Sequence, residues 1–364
     1  MEKRVVERDG SKGWGSRRLR VALFIALNAA AVGLTAFFDF RPENRGASDG
    51  KLPEIHLLYL FPAFLCFALA VASETLKYRV MISGVTARAP SAHMPFTVAV
   101  LGRYYDNITP FGAGGQPFQI NYLIRRGLPA GEAAAVTITG FLTCQLAFIL
   151  MSVPVFIFGG GVIDTAALFA PAALGLLFYI AVPAAICLFI ISPGLTGSVL
   201  SGACSLLGKL KLSKNPGALR ERALDTLASS RDGIISVMRN RDAAASVFAL
   251  SFLYRACICS MPFFVLRAFG SGLGYINAFC TCVFIYLCIT FIPTPGNSGV
   301  AEGSFYAFFA ALGQERLFWV MLIWRLFSYY LFILLGFVTV SLENAHTNKR
   351  VRSGAVAARS GERR

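Results

Sequence analysis

The sequence predicts an all-α polytopic membrane protein: about six full spans plus two oppositely oriented re-entrant, broken helical hairpins. Three observations carry this. Only 15% of the 364 residues are charged and 56% are hydrophobic, with a mean hydropathy of +0.62, whereas soluble domains carry about 25% charge. Apolar runs at about 20–39, 56–73, 133–158, 168–192, 243–267 and 317–341 approach the roughly 20 residues that a helix needs to cross hydrocarbon. Two further apolar segments, 94–124 and 273–313, are interrupted by prolines and glycines.

The interruptions organise the chain. One is Ile108-Thr109-Pro110-Phe111-Gly112-Ala113-Gly114-Gly115-Gln116-Pro117-Phe118, and the other is Ile292-Pro293-Thr294-Pro295-Gly296-Asn297-Ser298-Gly299-Val300-Ala301-Glu302-Gly303. Proline and glycine there end the helical ladder and leave backbone N–H and C=O groups without intrahelical partners. Hydrocarbon offers those groups nothing, so broken backbone at membrane depth implies a protein-lined or wet cavity. Paired breaks in the two halves of a hydrophobic chain point to a binding site near the bilayer midplane.

The basic residues set the orientation. They cluster in the N-terminal arm (Lys3, Arg4, Arg8, Lys12, Arg17, Arg18, Arg20), in loop 193–242 and in the tail (Lys349, Arg350, Arg352, Arg359, Arg363, Arg364), while loop 159–167 has none. Basic juxtamembrane clusters stay on the cytosolic side and touch anionic headgroups. Both termini are therefore expected inside. The apolar run after Arg20 is longer than a signal-peptide core and is read as an uncleaved first span. Span 56–73 should return to a basic inner loop holding Glu74, Lys77, Arg79 and Arg88. Segment 94–124 then enters and leaves from the cytosol, and 273–313 from outside. In the inner loop, Asn215-Pro216 reads as an N-cap and first-turn proline opening a charged helix to about Arg241.

Several function classes are disfavoured. The formal charge of +15 is distributed as membrane-flanking clusters, so no nucleic acid partner is expected. Eight of the cysteines (Cys66, Cys144, Cys187, Cys257, Cys259, Cys280, Cys282, Cys288) lie in apolar segments and read as small buried hydrophobes. His56, His93 and His346 are scattered, so no metal is expected, and nothing calls for a cofactor.

Ionisable residues inside the apolar segments are the candidates for function, because a charge at the bilayer centre costs roughly 2.5–3.5 kcal/mol on insertion scales. Arg255 and Arg325 either pair with a carboxylate or with carbonyls freed at a break, or they line a polar path and receive an anionic headgroup. The two readings are compatible if Glu302 holds an arginine until lipid displaces it. Arg103 and Asp106 share a helix face and are expected to neutralise each other. Glycine-rich turns at half-helix N-termini should add free N–H groups for an anion. The expected substrate-contacting set is Arg103, Asp106, Thr109, Gly115, Gln116, Gln119, Arg255, Pro295, Gly296, Asn297, Glu302 and Arg325; no catalytic residue is assigned.

Thr109-Pro110-Phe111, Ala113-Gly114-Gly115-Gln116-Pro117-Phe118-Gln119-Ile120 and Tyr122-Leu123, with Pro293, Pro295-Gly296, Gly299 and Glu302, closely resemble the paired signatures of the flippase-like family. That family is built around the transmembrane region of lysylphosphatidylglycerol synthases. The resemblance spans about 20–341. It implies a cell-membrane protein that handles lipids across the leaflets; composition marks 1–19 as a basic arm and 342–364 as a basic tail. Asn297 stands where the family often has glycine. Members with the full enzyme attach a cytosolic aminoacyltransferase domain, which is expected to be missing from a chain ending at Arg364.

Three functions follow in order of preference. The first is a translocator for a phospholipid, an aminoacyl-phosphatidylglycerol or a polyprenyl-phosphate-linked lipid. The second is the membrane part of a phosphatidylglycerol lysyltransferase, although no nucleotide loop, carboxylate dyad or Ser/Cys–His set is present. The third is an ion-coupled solute transporter. The expected partner is a membrane lipid with an anionic headgroup; a homo-oligomer or a lipid-modifying partner enzyme is compatible with the sequence.

Overall fold

The computed structural model describes residues 54–86, 91–109, 112, 114–158, 166–192, 194, 197–198, 216–290, 294–297, 299–309 and 314–344. The expected first span (20–39), the N-terminal arm and most of the tail lie outside the described residues. Among the described residues five helices are long and apolar enough to cross a membrane: Leu57–Val85, Ala130–Phe158, Phe169–Ile191, Arg241–Ala268 and Leu317–Asn344. They overlap the other five expected spans, the first of them running on past its expected end at 73 to Val85.

In chain order the helices are α1 (Leu60–Val85), α2 (His93–Ile108), α3 (Gly115–Arg125), α4 (Ala130–Phe158), α5 (Ala166–Ile191), α6 (Pro216–Arg239), α7 (Arg241–Ala268), α8 (Tyr275–Ile289) and α9 (Val300–Phe309). The last, α10, begins at Gln314–Arg325, passes through a π-helical turn at Leu326–Tyr330 and continues to Asn344. Helix α7 is the central span, with 56% of its apolar stretch buried inside the protein against 17% for α5. It packs along α1 more extensively than any other pair packs. Asn240 caps α7, its side chain accepting from the Asp242 and Ala243 N–H groups, which satisfies donors that the first turn otherwise leaves open. At the other end the His56 N–H donates to the Ala268 carbonyl at 2.8 Å, pinning α1 to α7.

Helices α2/α3 and α8/α9 are the two interrupted segments. At 15 residues α8 is about 22 Å long, short of the roughly 30 Å hydrocarbon thickness; α2 has 16 residues. Each ends at its break, as the proline–glycine pattern predicts. The second turn, Pro295–Asn297, packs against α2, so residues about 190 positions apart in sequence meet in space. The base of the first segment is tied to the far end of α10. There Glu343 accepts from Arg126 Nη2 at 2.5 Å and bonds His93 Nε2 at 3.0 Å.

One expectation fails at α1. Glu74 and Lys77 do not sit in a basic inner loop, because α1 runs unbroken to Val85 and buries both side chains. From Pro62 to Gly84 the sequence holds no breaker, so the helix carries its charges into the bundle. Helix α6 starts at Pro216 as expected; Asn215 lies outside the described residues. It buries Val237 beside Met81, Ile82, Ala133 and Val136 of α1 and α4.

Helices α5 and α8 approach at Gly175. A Cβ there would fall on the backbone carbonyl of Leu287, and a backbone atom cannot swing aside as a side chain can. Gly175→Ala is expected to lose roughly 1–3 kcal/mol through overpacking. Gly303→Ala, with open space around its Cβ, should be neutral or slightly stabilising because alanine favours helix. Thermal unfolding of the two purified variants in detergent checks the contrast, and equal midpoints would refute it.

Candidate functional site

The first break is closed by side chains of α2. Thr109 Oγ1 donates to the Tyr105 carbonyl at 2.7 Å and accepts from the Gly114 N–H at 2.9 Å. Asp106 Oδ1 accepts from the Gly115 N–H at 2.9 Å. These oxygens cap the opening turn of α3, whose first N–H groups have no helical partner. Both glycines are required by this closure, since a Cβ at Gly114 would strike Thr109 and one at Gly115 the Asp106 carboxylate. Gln119 then anchors α3, donating from Nε2 to Tyr78 Oη (2.8 Å) and the Val98 carbonyl (2.9 Å).

The second break is closed by an ion pair. Glu302, 1% exposed, accepts from the Gly299 N–H at 2.5 Å through Oε2 and from Arg325 Nε at 2.6 Å through Oε1; Arg325 Nη2 also pairs with Oε1. Arg325 Nη1 donates onward to the Gly296 carbonyl at 3.3 Å. The turn is left-handed at Gly296 (φ 58°), Asn297 (φ 54°) and Gly299 (φ 87°). Asparagine is among the few side-chain-bearing residues that enter this region readily, which explains how Asn297 serves where the family pattern has glycine.

Two expectations are corrected by this geometry. The N–H groups of Gly114, Gly115 and Gly299 are not free for an anion, because Thr109, Asp106 and Glu302 already occupy them. Nor does Arg103 pair with Asp106: its Nη2 donates to Glu74 Oε2 at 3.2 Å. Glu74 also holds Lys77 Nζ at 2.5 Å, and Lys77 reaches the Gly140 carbonyl at 3.4 Å. The sequence reading missed this Glu74–Lys77–Arg103 network. Its signal was the i, i+3 spacing of Glu74 and Lys77 inside a breaker-free helical stretch.

Between the two breaks lies a cavity of about 570 Å³, a size suited to a small ligand or headgroup. Its polar wall comes from Arg103, Asp106, Asn107, Gln116, Gln145, Arg255, Gly296, Asn297 and Arg325; Phe178, Val182 and Ile186 of α5 supply an apolar side. Of the twelve expected residues, Arg103, Asp106, Gln116, Arg255, Gly296, Asn297 and Arg325 therefore converge. Thr109, Gly115, Gln119 and Glu302 instead shape the wall from behind, and Pro295 opens the second turn. Cys144, Gln145, Tyr179, Tyr254 and Tyr286 also line the space and were not foreseen, since neutral residues on a span look like packing.

Arg255 differs from the other cations. No carboxylate among the described residues pairs with it. Its Nη2 donates to Gln145 Oε1 at 3.1 Å, its guanidinium stands 4.8 Å from the Phe148 ring centre and 5.9 Å from that of Tyr179, and its Nε is buried without a hydrogen-bond partner. Aromatic faces hold a desolvated guanidinium at modest gain while leaving its donors available. Arg103 is held similarly, 4.2 Å over the Tyr254 ring, but has Glu74 as counter-ion.

Apolar helices long enough to span, two closed breaks and a cavity between them define a multi-pass membrane protein with an internal chamber walled by both charged and apolar side chains. The chain belongs to the lysylphosphatidylglycerol synthase TM region family, whose family model matches residues 19–336. No curated protein matches it. Membership gives the chain a membrane-embedded, lipid-related setting.

Proposed function

We propose that the protein is a lipid translocator: both interrupted segments are re-entrant, and a phosphate-bearing headgroup crosses through the chamber while its acyl chains stay in the bilayer. One observation carries the reading. Arg255, deep in a span, faces the cavity with no carboxylate partner among the described residues, a costly placement that a passing lipid phosphate would offset. Guanidinium suits that task because it stays charged and binds phosphate oxygens in a fork. The apolar α5 side of the chamber offers acyl chains a path continuous with the membrane.

The test is leaflet exchange of fluorescent phosphatidylglycerol in liposomes containing the purified chain. Arg255→Ala is expected to slow exchange by about tenfold to a hundredfold, the value of one charged hydrogen-bonded contact. Equal rates for the two proteins would reject the site.

Family membership favours one alternative, that the chain forms the membrane part of a phosphatidylglycerol lysyltransferase. Thin-layer analysis of lipids from cells expressing this chain alone separates the two. A new lysyl-lipid would replace the translocator reading.

A further inference from the structure

The charges in and directly behind the chamber wall do not cancel. Among the described residues four cations (Lys77, Arg103, Arg255, Arg325) face three carboxylates (Glu74, Asp106, Glu302). Two of those carboxylates are consumed inside the protein: Glu74 serves Lys77 and Arg103, and Glu302 serves Arg325 and the Gly299 N–H. Among the described residues the only acid on the cavity wall is Asp106, and it already accepts the Gly115 N–H. The surplus positive charge resides at Arg255, whose partners among the described residues are Gln145, Cys144 and aromatic rings.

We propose that the chamber selects a lipid phosphate that carries no ammonium group of its own, and discriminates against aminoacylated and other ammonium-bearing headgroups. This rests on reading the chamber as the lipid site. An ammonium brought into the chamber has one occupied carboxylate to meet and three guanidiniums to avoid. A bare phosphate supplies the missing negative charge and fits the unpartnered Nε of Arg255. Like charges in a partly desolvated space repel more strongly than in water, so the arrangement works as exclusion as well as attraction.

Binding and movement are measured separately. The detergent-solubilised full chain is incubated with an equimolar mixture of phosphatidylglycerol, phosphatidic acid, phosphatidylethanolamine and lysylphosphatidylglycerol, and retained lipid is read by native mass spectrometry. The first two should be retained about tenfold over the last two, and their ratio to each other tells whether a diester or a monoester is favoured. Arg255→Gln should bring all four toward parity, and Arg255→Lys should keep part of the preference. Should Arg255→Gln not elute as a folded species, Asp106→Asn carries the test, since removing the last wall carboxylate must widen the preference for bare phosphate. Equal or better retention of an ammonium-bearing lipid by the wild type, or an unchanged ratio in the variants, would overturn the proposal. Leaflet exchange is then measured with the same four lipids in vesicles. Exchange of all four at one rate would sink the selectivity alone. Selective binding with no exchange of any lipid would sink the translocator reading and leave the selectivity standing.

Discussion

Glu302→Gln is expected to lower stability by roughly 3–5 kcal/mol, the cost of leaving a buried cation without its counter-ion. Glu302 and Arg325 are 1% and 5% exposed, so water cannot take over the lost charge. The carboxylate also accepts the Gly299 N–H, and the arginine it holds reaches the Gly296 carbonyl. Removing one charge therefore loosens both sides of the second break. The double variant Glu302→Gln/Arg325→Met removes both charges and should lie closer to the wild type than the single variant, because an uncharged pair of similar volume leaves no buried ion without its partner. Unfolding in mixed detergent micelles checks both. A single variant as stable as the wild type, or a double variant worse than the single, would contradict the assignment of this pair as the closure of the break.

Much of this architecture was legible in sequence, and the reasons are physical. Hydrocarbon imposes long apolar runs, so the spans declare themselves. Backbone chemistry makes Pro110, Pro293, Pro295 and the neighbouring glycines visible as breaks. Arg255 and Arg325 stood out because charge inside a span is rare. What remained hidden depends on contacts across the chain. Arg103 and Asp106 share a helix face, which suggests mutual neutralisation, yet Arg103 turns to Glu74 on α1 while Asp106 caps α3. Glu302 beside a glycine-rich turn suggested free backbone donors, but the same carboxylate that marks the turn satisfies it. The spacing shows which groups are near a break; only the packing decides which of them remain available to a ligand.

Glu74→Gln is expected to cost a similar 3–5 kcal/mol, and its relief should separate folding from headgroup choice. Lys77 is fully buried. Without the Glu74 carboxylate its ammonium keeps the distant Gly140 carbonyl at 3.4 Å and the Tyr78 ring at 5.3 Å, and Arg103 keeps Cys144 Sγ at 3.5 Å and the Tyr254 ring. Two cations would then share a space built around one carboxylate. In Glu74→Gln/Lys77→Met the buried ammonium is gone along with its partner, and the net charge around the chamber matches that of the wild type. That double variant should regain most of the lost stability and retain the wild-type ranking of lipids. Glu74→Gln alone carries one more positive charge beside the chamber and should favour bare phosphate further, wherever it remains folded. Denaturation in mixed micelles and lipid retention, measured on the same preparations, read the two effects independently. If the double variant recovers its fold yet loses its lipid ranking, the network binds headgroup through Glu74 or Lys77 directly, and its role as a counter-ion behind the wall is wrong.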